Sequence, residues 1–161
     1  MTNESKSHME PLVQWHEGLS VGIQEIDEQH KVLVNLLNEL HVAIHQHHGR
    51  AASIATLERL ADYTKIHFTV EESLMRILGY PDYENHKQHH EVLISDLESF
   101  QQRVAAGDAI TFELLHFLRN WLTHHIQEGD QRYSSFFLQR GAQPKWQKKN
   151  WLDRFWSEIA G

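Results

Sequence analysis

The chain of 161 residues contains no cysteine. That excludes disulfides, thiolate zinc sites and cysteine-held iron–sulfur clusters. It is compatible with a reducing cytoplasm, the expected location. Positive charge is also scarce. Lys and Arg number 15 against 22 Asp and Glu, a net charge of −7 with histidine neutral. A general nucleic-acid binder needs a basic surface for phosphate contact, so that class is set aside. No apolar run is long enough to cross a bilayer. The opening MTNESKSHMEP has no hydrophobic segment of the secretory-signal type and is expected to be a loose lead-in. No period-two alternation of apolar and polar residues marks a strand.

What is abundant is histidine, with 14 copies scattered along the chain rather than gathered in a tag. Histidine is the commonest metal ligand and titrates near neutrality. Hydrophobic content is 40% and charged content 23%, ordinary for a globular domain with a real core. The excess of imidazole therefore has to be read through its spacing.

Glycines at 49, 79, 107 and 141 separate four stretches of helical periodicity. They run from about Gln24 to His48, Ser53 to Leu78, Tyr83 to Ala105 and Ile110 to Leu138. Each is on the order of 20–29 residues, or about 30–40 Å at 1.5 Å per residue. The intervening loops are short, which makes consecutive helices antiparallel neighbours. The expected fold is all-α, an up-down-up-down four-helix bundle over 15–140. It would be preceded by a flexible N-terminus (1–14) and followed by a helical tail (141–161). The apolar segment Trp15–Ile23 is expected to pack along the bundle.

Seven side chains on these stretches have metal-ligand character: His30; His67 and Glu71; His86 and His90; His125 and Asp130. His67 and Glu71 are four apart, as are His86 and His90, so each pair stacks on one helix face. Both pairs lie on the apolar stripe. Burying imidazole and carboxylate costs several kcal/mol unless they are paired or metal-bound. One such pair is more often structural than metal-binding; four groups on four successive helices, all on the inward face, point to a metal pair. Carboxylates can bridge two cations, imidazole suits iron, copper, nickel and zinc, and helix bundles are a known home for two irons. The interval His125 to Asp130 does not fit a regular helix, because five residues place side chains about 140° apart. With Gly129 just before Asp130, a π-bulge is predicted there.

Ile26-Asp27-Glu28-Gln29-His30-Lys31, His67-Phe68-Thr69-Val70-Glu71-Glu72, His86-x3-His90 and Trp121-Leu122-x2-His125-Ile126-x3-Asp130 resemble the signatures of the hemerythrin family, in particular bacterial hemerythrins. The resemblance covers roughly Trp15 to Tyr133. Myohemerythrin is itself an example of the up-down-up-down bundle. The resemblance implies two iron ions with an oxo or hydroxo bridge. His86, His90 and His125 would hold one iron. His30 and His67 would hold the other, which keeps an open position, and Glu71 and Asp130 would bridge the pair. It implies reversible binding of dioxygen (O2) rather than enzymatic turnover. Trp121, Leu122 and Ile126 flank His125 and are candidates for the oxygen-pocket wall, with plain core packing the alternative. His89 departs from the pattern by intruding between His86 and His90.

Other histidines are expected to be peripheral. His45, His47 and His48 cluster near the end of the first helix, where imidazolium suits the helix dipole. His41 shares the stripe of His30 but sits three turns away, while His116 and His124 are expected at the periphery. In the tail, Trp151, Leu152, Phe155, Trp156 and Ile159 fall within an arc of about 140°. That helix could fold back on the bundle, dock on a partner protein or lie on a membrane surface through residues 146–160. Three functions compete: an oxygen carrier or store; an oxygen or redox sensor acting on a partner; and a di-iron oxidase or peroxidase. Bundle oxidases use paired Glu-x-x-His motifs. This chain has Glu113-x-x-His116 alone, directed away from the site.

Overall fold

The computed structural model describes residues 9–47, 49–109 and 112–141, the side chains at 128–130 excepted. A short 3-10 turn, Glu17–Leu19, precedes α1 (Gln24–His45), α2 (Arg50–Leu78) and α3 (Tyr83–Ala105). The fourth rod is composite. It consists of α4 (Phe112–His124), a π-helical turn (His125–Asp130) and α5 (Gln131–Gln139). No strand occurs among the described residues, and none of their helices is long and apolar enough to cross a membrane.

Contacts across the seams fix the directions. His30 meets His67 and Glu39 meets Arg59, so α1 and α2 are antiparallel. His90 meets Glu72 and Glu98 meets Lys65, which does the same for α2 and α3. His90 against His125 and Phe100 against Phe117 orient the fourth rod against α3. The architecture is the expected antiparallel four-helix bundle.

The first helix stops at His45, earlier than periodicity predicts, and α2 begins earlier, at Arg50. The turn between them uses positive φ at His47 (50°) and Gly49 (98°), which helical backbone does not allow. At the far end of α2, Gly79 adopts φ 70° and the Tyr80 N–H donates to the Met75 carbonyl at 2.8 Å. This is a glycine-dependent C-terminal cap, and Pro81 follows it. Asn38 of α1 both accepts from the Val13 N–H (3.0 Å) and donates to the Val13 carbonyl (2.8 Å), holding the lead-in against the bundle. The Asp27 carboxylate accepts from the Ser20 hydroxyl and the Val21 N–H, which sets the entry into α1.

The apolar interior falls into two clusters. The larger holds Leu33, Leu37, Leu40, Leu57, Leu60, Leu97, Leu114, Leu118 and Leu122. The smaller holds Val21, Ile23, Ile26, Met75, Tyr133 and Phe137. Each fully buried aliphatic side chain contributes roughly 1.5–3 kcal/mol. The predicted ligand residues occupy the chain levels between these clusters, so the polar layer is clamped above and below by hydrocarbon. The amphipathic tail predicted from the sequence lies outside the described residues.

Candidate metal centre

Glu71 is at the middle of the polar layer. It is fully buried, as are His30 and His67, and His86, His90 and His125 are at most 8% exposed. Its two oxygens face different histidines. Oε1 lies 2.6 Å from His67 Nε2 and 3.6 Å from His30 Nε2. Oε2 lies 3.2 Å from His90 Nε2, 3.7 Å from His125 Nε2 and 3.8 Å from His86 Nε2. The Nε2 atoms of His30 and His67 approach to 3.1 Å, about the separation of two nitrogens held at right angles on one ion at roughly 2.1 Å each. His125 is central enough for its ligand atom to lie within 4.8 Å of those of His30, His67 and Glu71. Its contact with Oε2 places it on the His86–His90 side of the carboxylate.

The helices explain how each residue arrives. His67 and Glu71 share the inward stripe of α2 with Leu57, Leu60 and Thr64, all buried. His86 and His90 occupy the equivalent stripe of α3 with Leu97. His125 opens the π-helical turn predicted from the interval to Asp130. Hydrogen bonding from i to i+5 brings positions five apart onto one face, which a regular turn does not. The backbone of Asp130 therefore closes the turn that His125 opens; its side chain lies outside the described part of the structure.

A ring of outer contacts orients the imidazoles. His67 Nδ1 is 2.7 Å from Gln29 Oε1, and His90 Nδ1 is 2.8 Å from Glu72 Oε1. Both acceptors keep a proton on Nδ1 and turn Nε2 inward, the nitrogen that would serve a metal. The Tyr133 hydroxyl donates to Glu71 Oε1 at 2.8 Å. Phe68 lies flat on His90, with ring centroids 3.7 Å apart. Trp121 is parallel to His125 at 5.9 Å. Sequence reading assigned no role to Gln29, Glu72, Phe68 or Tyr133. Three of them adjoin ligand residues in the chain, but only helix packing reveals which imidazole each serves.

Electrostatics supports a cation. Burial alone would push the Glu71 carboxyl up; the imidazoles around it, His67 first and then His30 and His86, hold it well below the usual carboxylate range. Burial pushes the His125 imidazole well below its ordinary value; Glu71 opposes this, while His67, His90 and His30 add to it. The cluster therefore pairs an ionised carboxylate with an imidazole kept neutral, the protonation states a metal requires of its ligands. Glu71 Oε2 and His90 Nε2 are buried and make no hydrogen bond among the described residues. Buried polar atoms in that condition are costly, and an ion between them removes the cost. The donor set, nitrogen and oxygen without sulfur, fits iron or another borderline divalent metal.

The remaining candidates divide clearly. Leu122 and Ile126 are buried in the larger apolar cluster beside the site, and Trp121 is 7% exposed. His89 turns outward and meets the Asn85 carbonyl instead. His116 and Glu113 are exposed on the outer face of α4, and His124 is exposed as well. His41 is half-buried at the far end, stacked edge-on against His45. A cavity of about 460 Å³ opens between α3 and the fourth rod, reaching His86 and His90 past Tyr80, Trp121, His124 and Arg132.

The family model of the hemerythrin HHE cation-binding domain matches residues 21–136. A bacteriohemerythrin of Stenotrophomonas maltophilia is 41% identical over 123 residues, 76% of this chain and 80% of that protein. One from Pseudomonas aeruginosa is 40% identical over 119 residues, 74% of this chain and 77% of that protein. The crystal structure of wild-type hemerythrin superposes with a TM-score of 0.74 at 30% identity, covering 78% of this chain and 98% of that one.

Proposed function

Because the chain belongs to the hemerythrin HHE cation-binding family, we propose that it is a non-haem di-iron protein that binds dioxygen reversibly, as a carrier, store or delivery protein of the cytoplasm. The observation that carries this reading is the division of the Glu71 carboxylate. One oxygen faces His30 and His67 and the other faces His86, His90 and His125. A single buried carboxylate placed between two nitrogen sets is suited to bridging two ions. In this reading His86, His90 and His125 would hold one iron, His30 and His67 would hold the other, and Glu71 and Asp130 would be shared between them. When bound, the iron pair supplies the electrons and the open coordination that reversible dioxygen binding requires.

The chain's own residues perform the rest. Gln29 and Glu72 orient His67 and His90. Tyr133 keeps a proton directed at Glu71 Oε1 and so fixes the bridge. Leu122, Ile126 and Trp121 form the apolar wall that keeps bulk water from the pocket. An oxidase reading would need a second carboxylate–histidine motif turned inward. Glu113 and His116 face solvent instead. Five imidazoles against few acids favour binding over oxidation.

The test is an optical spectrum of the iron-loaded full chain, reduced without air, then exposed to dioxygen, then purged. A visible charge-transfer band that appears with dioxygen and leaves on purging, at two irons per chain, is expected. Irreversible oxidation with no such band, or steady turnover of an added substrate, would overturn the reading.

A further inference from the structure

His67 and His90, one imidazole from each half of the cluster, differ in what stands behind them. Behind His67 is the neutral amide of Gln29, 2.7 Å from Nδ1. Behind His90 is the carboxylate of Glu72, 2.8 Å from Nδ1. Geometry is the same in both: an acceptor from the neighbouring helix fixes the tautomer and turns Nε2 inward. Charge is what differs. Glu72 is 22% exposed while His90 is 2% exposed, so a partly hydrated anion bonds to a buried ring. Phe68, stacked within 2° of parallel on His90, covers one face of that ring and keeps water from screening the contact.

A carboxylate draws the Nδ1 proton toward itself and makes the opposite nitrogen a stronger donor. The amide oxygen of Gln29 does this weakly. We propose that Glu72 is a positioning residue that biases the centre. It makes the position served by His86, His90 and His125 the tighter one for metal and the one in which ferric iron is preferred. This inference rests on the di-iron reading above. The neutral Gln29 leaves His67 a weaker donor than His90, which suits an ion that must keep a place open.

The test uses the full chain as wild type, Glu72→Gln and Gln29→Glu. Cobalt(II) titration of the metal-free protein reads affinity, and the midpoint potential of the iron-loaded protein reads the bias. Glu72→Gln keeps size and a hydrogen-bond acceptor and removes only the charge. Tighter-site cobalt affinity should fall about 10–100-fold, and the potential should rise. A tenfold loss of preference for ferric over ferrous iron reads as about 59 mV for one electron. Gln29→Glu should lower the potential instead. A purely structural Glu72 would change melting temperature and leave affinity and potential where they are; that result, with two irons bound in the wild type, overturns this inference alone. Should Glu72→Gln fail to fold, an unmoved potential in Gln29→Glu overturns it equally. A wild type that takes up no metal pair overturns the di-iron reading and this inference with it.

Discussion

Tyr133→Phe removes one oxygen from the interior and nothing else. The ring is fully buried. It packs 4.5 Å from Phe137 and 5.5 Å from His86, contacts that phenylalanine retains. What is lost is the donor to Glu71 Oε1 at 2.8 Å. A hydrogen bond to a charged group contributes roughly 1.5–3 kcal/mol. Oε1 keeps His67 at 2.6 Å, so partial compensation places the cost toward the lower part of that range. A loss of about 2 kcal/mol in the metal-free protein corresponds to a fall in Tm of about 4–8 °C for a chain of this size. Thermal and urea unfolding followed by circular dichroism measure it, and the urea slope should not change. In a Glu71→Gln background the same substitution should cost about 1 kcal/mol, because the acceptor is then neutral. A loss below about 0.5 kcal/mol, or an equal loss in both backgrounds, would refute the assignment of the phenol to the carboxylate.

Acid should destabilise the metal-free protein in two stages. His125 is held below its ordinary 6.5 chiefly by burial. The unfolded chain therefore binds the extra proton first, and stability declines as pH falls through about 6.5. Glu71 is held below its ordinary 4.5, because His67 and the imidazoles of His30 and His86 together outweigh burial. The unfolded chain again protonates first, so a further loss follows below about pH 4.5. Urea midpoints measured from neutral pH downward check this, and a midpoint rising with acid would contradict both assignments. Leu122→Ala and Ile126→Ala should each cost about 2–5 kcal/mol through the cavity they leave. If these residues exclude water from the pocket, both should also speed autoxidation of the iron-loaded protein. Unchanged autoxidation would leave them as core residues only.

Much of the site was legible in the chain because α-helical geometry is local. Four residues bring side chains onto one face, so the pairs His67–Glu71 and His86–His90 could be placed inward before any packing was known. The interval from His125 to Asp130 violates that period, and the π-helical turn is the backbone's answer to it. Absence of cysteine, together with imidazoles on four rods, determined the donor chemistry. Spacing alone also allowed His86–His89 as a helical pair, since three and four residues both span about one turn. The structure turns His89 to the Asn85 carbonyl and His90 to Glu71.

Tertiary structure alone decided which oxygen of Glu71 faces which imidazole, and which outer partner stands behind each. Gln29 and His67 are 38 residues apart, Glu72 and His90 are 18 apart, and Tyr133 and Glu71 are 62 apart. Contacts at those separations depend on the register of one helix against another, set by how leucines and aromatics interlock along the seams. A local pattern assigns a side chain to a face; only the packed bundle determines what that face meets.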